Sequence, residues 1–187
     1  MAETMKKMGV FENMPNIGFK MMTFVMRVMD VFMPRYVTDR VGWFDIKEGM
    51  TLVDYACGPA RYTKHFSDRV GDNGKVYAVD VQPLAIRYVE SVVRKHDLHN
   101  VETRLADGYN CTLPDNTADV IFALDMFHGI ANPKHLLCEL KRIAKNNATL
   151  VIDDGHQPRA ETKAKIEGSG CWKITHEDSS HLKCKLC

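Results

Sequence analysis

A surplus of charge is the first thing this sequence lacks. Its 25 Lys and Arg stand against 24 Asp and Glu, leaving +1 at pH 7. The bulk field that draws a protein onto nucleic acid whatever its sequence is therefore missing. With neither an RNA-binding appendage nor an Asn-Pro-Pro-Tyr base-pocket motif in view, no nucleic-acid partner is expected. A membrane-spanning run is missing too. The most apolar segment, 17–33 (IGFKMMTFVMRVMDVFM), is broken by Lys20, Arg27 and Asp30 and falls short of the ~20 apolar residues a span needs, so no integral membrane association is expected. No charged, apolar and small-residue zones follow one another as in a secretory signal. The six cysteines are accordingly read as reduced thiols of a cytoplasmic protein rather than as a disulfide frame. Repeats, low-complexity tracts and Gly/Ser/Pro linkers are also absent. The 187 residues, 45% hydrophobic and 26% charged, are thus expected to form one compact globular domain with a real core.

From residue 50 onward short β-rich runs alternate with helical patterns. TLVDY (51–55), KVYAV (75–79), VETRL (101–105), DVIFAL (119–124) and ATLVID (148–153) read as strands; 60–70, 83–96, 133–144 and 159–167 read as helices. Strand alternating with helix is the signature of a parallel sheet covered on both faces. The end departs from it: CWKITHED and HLKCKLC, parted by Ser179 and Ser180, read as an antiparallel hairpin. Ahead of all this, Lys20, Thr23, Arg27 and Asp30 recur three or four apart, which gives a helix over 17–33 one narrow polar stripe and a wide face of Met, Phe and Val.

The first strand opens into VDYACGPARYT, Val53 to Thr63. In a doubly wound sheet this turn bends sharply and lets a ligand approach backbone N–H groups, so small residues are a steric requirement. Ala56, Gly58 and Ala60 occupy alternate positions, with Cys57 and Pro59 between them. Two places where a Gly-rich fingerprint carries glycine are thus alanine, and a positive φ at either would strain it by about 1 kcal/mol or more. Asp80 closes the second strand 22 residues after Gly58, where a carboxylate can accept from both hydroxyls of an unphosphorylated ribose. Asp54, Asp80, Asp107 and Asp125 all fall at or near the ends of consecutive strands, on the edge where open α/β sheets bind ligands.

From about residue 48 the chain resembles the class I S-adenosylmethionine-dependent methyltransferases, especially the small type 11 methyltransferase-domain branch. VDYACGPARYT resembles that family's first motif, in which an acidic residue (Asp54) precedes a turn (Tyr55, Ala56, Cys57, Gly58, Pro59) wrapping the methionine part of the cofactor. VYAVDVQP resembles the second, which implies Asp80 on the ribose with Val81 and Gln82 beside it. LADGYNCTLPDNTADVIFALDMFHGI resembles the third and fourth. There the resemblance implies Ala106, Asp107 and Gly108 near the adenine amino group, and Leu124 to His128, Leu124 and Asp125 among them, flanking the cofactor. The implied fold is a Rossmann-like doubly wound α/β sheet of seven strands, mostly parallel with a C-terminal antiparallel hairpin and helices on both faces. The implied cofactor is S-adenosylmethionine, with S-adenosylhomocysteine as product. On this plan residues 1–45 form a helical lid or cap and 46–187 the cofactor-binding domain.

A sulfonium methyl is already activated, so the protein has mainly to align an acceptor and exclude water; a general base is needed only for an acceptor protonated at neutral pH. Candidate bases are Asp125 and His128 after the fourth strand, and Asp153, Asp154 and His156 after the fifth. The acceptor is expected to be a small molecule, of apolar character if the Met- and Phe-rich helix is its lid. That helix could equally pack as core, dock on a membrane surface or serve a homodimer. A non-catalytic, regulatory S-adenosylmethionine-binding domain stays open, given the two alanines and the lack of an obvious base. An NAD-dependent oxidoreductase could use Asp80 equally well, but the terminal hairpin and the A-x-G-x-A turn disfavour it. Cys184 and Cys187 form a C-terminal CxxC near Cys171, His176 and His181; three apart on a strand they point to opposite faces, so free thiols are expected and no metal.

Overall fold

The computed structural model describes residues 13–187. Its strands are β1 (Thr51–Tyr55), β2 (Lys75–Asp80), β3 (Val101–Leu105), β4 (Ala118–Ala123), β5 (Ala144–Asp153), β6 (Trp172–Glu177) and β7 (His181–Leu186). Its helices are α1 (Asn16–Phe32), α2 (Tyr36–Trp43), α3 (Thr63–Val70), α4 (Pro83–His96), α5 (Pro133–Ile143) and α6 (Arg159–Glu167), with a 3₁₀ turn at Phe127–Gly129. Seven strands make one sheet in the order β3-β2-β1-β4-β5-β7-β6. β7 runs antiparallel to both β5 and β6, so the expected terminal hairpin is present. Among the described residues no helix is long and apolar enough to cross a membrane.

Contacts cluster into two units. One holds residues 14–105, so the N-terminal helices belong with the first three strands; the other holds 106–187. In the first unit β1 pairs with β2, and β2 with β3, all parallel. Burial across β1 and β2 is nearly continuous because helices cover both faces. In the second unit β4 pairs parallel with β5 across an irregularity between Ala118 and Val120, and β5 begins directly where α5 ends, four residues before the run ATLVID.

Local chemistry explains most boundaries. α4 and α5 start alike: Gln82 and Asn132 accept from the N–H groups of Leu84 and His135, and Pro83 and Pro133 take the first helical position, where no N–H is needed. α4 ends at Asp97 in the left-handed conformation (φ 52°). α3 begins three residues later than its sequence pattern suggests, because the preceding residues form the left-handed turn described below.

Helix α1 leaves most of its apolar face exposed. Of its polar stripe, Thr23 is buried and Asp30 half-buried, while Lys20 and Arg27 are exposed. Phe19 and Thr23 are buried, the Thr23 hydroxyl being satisfied by the Phe19 carbonyl at 2.8 Å. Arg27 lies over the Tyr88 ring (5.2 Å), and Asp30 pairs with Arg61, whose side chain is only 8% exposed. At the other end the Gln82 side-chain amide donates to the Met14 carbonyl at 2.8 Å. Ile17, Met21, Phe24, Val25, Val28, Met29, Val31 and Phe32 are left facing solvent. The reason is pairing: burying Arg61 next to the turn requires a counter-charge, and Asp30 supplies it from the stripe.

Replacing Asp30 by Ala should therefore free the C-terminal half of α1, at a cost of about 1–3 kcal/mol to its docking. Hydrogen exchange should quicken in residues 24–32 while β1 and β2 keep their protection; unchanged exchange in α1 would contradict the clamp.

Candidate functional site

The turn after β1 is built from three alternating left-handed residues, Ala56 (φ 61°), Gly58 (φ 53°) and Ala60 (φ 67°). Both alanines therefore carry the strain anticipated for them, roughly 1–2 kcal/mol each. What holds the turn in this shape is Asp80. Its carboxylate accepts from the Gly58 N–H at 2.9 Å and from the Gln82 N–H at 2.8 Å, tying the turn to the end of β2 and the start of α4. Burial pushes the Asp80 carboxyl up, and N–H groups of Gln82, Gly58 and Val81 pull it back only in part.

The residue types fit an adenosyl cofactor. Asp80 uses two of its acceptor sites and stays 8% exposed, so lone pairs remain for ligand hydroxyls. A Cβ on Gly58 would meet nothing nearer than the Ala56 carbonyl oxygen at 3.9 Å, so the backbone there faces open space. Asp54 and Tyr55 are buried, while Pro59 and Val81 are half-buried. Two of the candidates are engaged otherwise. The Cys57 side chain packs inward against Ala60, Ala78 and Val89; burial, reinforced by the charges of Asp80 and Asp54, pushes its thiol well above the ordinary range. Gln82 commits its side chain to capping α4 and bracing Met14. Those two residues can offer a ligand little besides backbone.

The second unit repeats the device. Asp125, two residues after β4, is also left-handed (φ 58°) and donates its N–H to the Asp153 carboxylate at 2.9 and 3.0 Å. Asp153, the last residue of β5, is buried. Its neighbour Asp154 is paired with Arg159 at 2.7 Å. Both are thereby withdrawn from the list of candidate bases. His128 and His156 come together instead, their rings edge to face at 4.9 Å. Burial lowers the His128 pKa from its usual 6.5; His156 and Lys165 lower it further and Asp125 opposes them. The imidazole is therefore neutral at pH 7, the form that can accept a proton. Ala106 and Leu124 are buried, and exposed Asp107 forms a tight turn through its backbone with Asn110, with Gly108 (φ 59°) inside it.

Gly155 also shapes this site. A Cβ there would sit 1.9 Å from His128 Nδ1, so only glycine lets that ring take its place. The run Asp153-Asp154-Gly155-His156 carried the signal, a glycine between a strand-end carboxylate and a candidate histidine. Among the described residues no cluster of three or more metal-ligating side chains occurs.

Residues 46–183 match a family described as a methyltransferase domain. A demethylmenaquinone methyltransferase from Geobacillus sp. (strain WCH70) is 26% identical over 120 residues, which is 64% of this chain and 51% of that protein. Its counterpart from Geobacillus stearothermophilus is 26% identical over 114 residues, 61% of this chain and 49% of that protein. The chain thus spans about half the length of the curated relatives it matches. Among solved structures, a SAM-dependent methyltransferase from Aquifex aeolicus is similar with a TM-score of 0.74 and 32% identity, over 81% of this chain and 90% of that one.

The strained alanines generate a direct test. Ala56→Gly relieves a left-handed alanine at a half-buried position and should raise the melting temperature by about 2 °C, since relief slightly exceeds the entropy glycine adds to the unfolded chain. Ala60→Gly also loses a methyl packed against Val89 and Ala78, worth about 0.8 kcal/mol, and should be close to neutral. Equal gains at both positions would count against this account.

Proposed function

The chain belongs to the S-adenosylmethionine-dependent methyltransferase family, and we propose that it transfers the methyl group of S-adenosylmethionine to a small apolar acceptor. The observation that carries this reading is the Asp80 clasp on Gly58, a carboxylate with spare acceptor sites beside an uncovered glycine backbone. When bound, the cofactor supplies an activated sulfonium methyl. Asp80 would hold its ribose hydroxyls and the turn from Asp54 to Pro59 its methionine part. Because the turn is already held by hydrogen bonds, little ordering cost falls on binding. The proton of an acceptor hydroxyl goes to His128, which His156 and Gly155 hold in place as a neutral base. Asp125 positions the loop leading to that histidine through its bond to Asp153.

Two facts support an apolar acceptor. The curated relatives are named for demethylmenaquinone. In addition, α1, held through Asp30 by Arg61 and at the residues ahead of it by Gln82, offers eight exposed apolar side chains to a lipophilic molecule.

Calorimetric titration with S-adenosylmethionine, S-adenosylhomocysteine and NAD, followed by turnover with demethylmenaquinone supplied in its reduced, dihydroxy form under anaerobic conditions, tests the proposal. Both sulfur compounds should bind and NAD should not. Asp80→Asn should lose about 10- to 100-fold in affinity, the worth of one or two charge-assisted hydrogen bonds. Binding of NAD alone would overturn the cofactor assignment; tight cofactor binding without methylation of any apolar acceptor would make the chain a binding domain.

The rate with a hydroxyl acceptor should be flat around pH 7 and fall only on the acid side of 6.5, because His128 must lose its proton to act and its pKa is lowered. His128→Asn should cost about 100-fold or more and abolish that acid limb. An unchanged profile in the variant would remove His128 from the chemistry.

A further inference from the structure

The second unit brings two thiols together that the methyl-transfer reading does not use. Cys138 lies on the exposed side of α5, and Cys171 is the buried residue just ahead of β6; their sulfurs are 2.9 Å apart across 33 residues of sequence. The backbone beside each is already pinned. Trp172, buried next to Cys171, donates its indole N–H to the carbonyl of Leu137, next to Cys138, at 2.9 Å. The N–H of Cys171 donates to the Ser169 hydroxyl at 3.1 Å, and its carbonyl accepts from Cys187 N–H at 3.1 Å. Helix and strand are thus held in register by contacts that do not involve sulfur, and joining the sulfurs asks little further movement of either.

We propose that Cys138 and Cys171 are a redox modification site, closing to a reversible disulfide by exchange with a low-molecular-weight disulfide such as glutathione disulfide. Exposed Cys138, as thiolate, attacks one glutathione sulfur and expels the first glutathione thiol, forming a mixed disulfide. Cys171 then gives up its proton and attacks the Cys138 sulfur, expelling the second. The two protein thiols are oxidised by two electrons, and one glutathione disulfide is reduced to two thiols. The division of labour follows from burial. Cys171 is covered, and burial together with Cys138 raises its pKa, with Lys141 acting the other way. It is therefore the resolving thiol rather than the point of entry. The other cysteines are poorer candidates. Burial drives Cys184 up to about 12 and Cys111 up to about 11, and Cys57 is enclosed beneath the cofactor turn. Cys187 is exposed and provides the natural control.

The folded, full-length protein is incubated with glutathione disulfide and then analysed by thiol titration, intact mass and peptide mapping. Two of the six thiols should disappear with loss of two hydrogens, the cross-linked peptides should contain Cys138 and Cys171, and dithiothreitol should restore all six. The oxidised protein should melt at a higher temperature than the reduced one, because the link removes freedom from the unfolded chain. Cys187→Ser should behave like the parent protein, whereas Cys138→Ser, a change at an exposed position, should keep its fold and form no cross-link. Glutathione persisting on Cys138, a cross-link through Cys187, or loss of two thiols with an internal cross-link in Cys138→Ser would each overturn the proposal. So would two unreacted thiols in a folded protein.

Discussion

A buried carboxylate gripping two backbone N–H groups is the interaction on which the first unit depends. Asp80 stands at the end of β2, where burial disfavours its charge, and the N–H groups of Gly58 and Gln82 compensate it. The bond to Gly58 fixes the turn after β1; the bond to Gln82 starts α4. Gln82 then passes the constraint on, its side-chain amide holding the chain just ahead of α1 through the Met14 carbonyl. Strand, turn and two helices are thereby coupled to one side chain. This is also why two left-handed alanines can persist: a turn over-determined by hydrogen bonds holds conformations that alanine alone would leave.

The same device recurs in the second unit. Asp153, closing β5, accepts the N–H of left-handed Asp125 in the loop after β4, as Asp80 accepts the N–H of left-handed Gly58 after β1. Each carboxylate ends a strand parallel to the one whose loop it holds. A parallel pair brings the two carboxyl ends to the same edge, where a short acidic side chain reaches the neighbouring loop's unpaired backbone donors. Asp80 and Asp153 thus both serve the architecture of the loops beside them. Asp154, next to one of them, is neutralised by Arg159 instead.

Burial and pairing also sort the residues that composition alone leaves equivalent. Of eight histidines, His128 is set apart by an edge-to-face partner and by the missing side chain of Gly155. Among the six cysteines, Cys138 and Cys171 are set apart by contact. In α1 the ion pair of Asp30 with Arg61, together with buried Phe19 and Thr23, marks the side turned inward and leaves most of the apolar side exposed.

Much of the architecture was nonetheless determined by the sequence itself. Short β-rich runs located the strands, β5 beginning four residues ahead of its run; Pro83 and Pro133 behind capping side chains marked two helix starts; and the terminal pair of strands around Ser179 and Ser180 announced the antiparallel hairpin. These are local effects, set by side-chain periodicity and by which residues can give up an N–H, so they are legible along the chain. The small residues at 56, 58 and 60 and the carboxylate at 80 were legible for the same reason, as steric and spacing requirements. What only tertiary structure decided were choices between chemically equal residues: which of Asp153 and Asp154 grips a loop, which histidines meet, which thiols touch and which face of α1 is covered. Each depends on a partner far away in sequence, and the free energy of pairing a buried charge or donor exists only once that partner has been brought near.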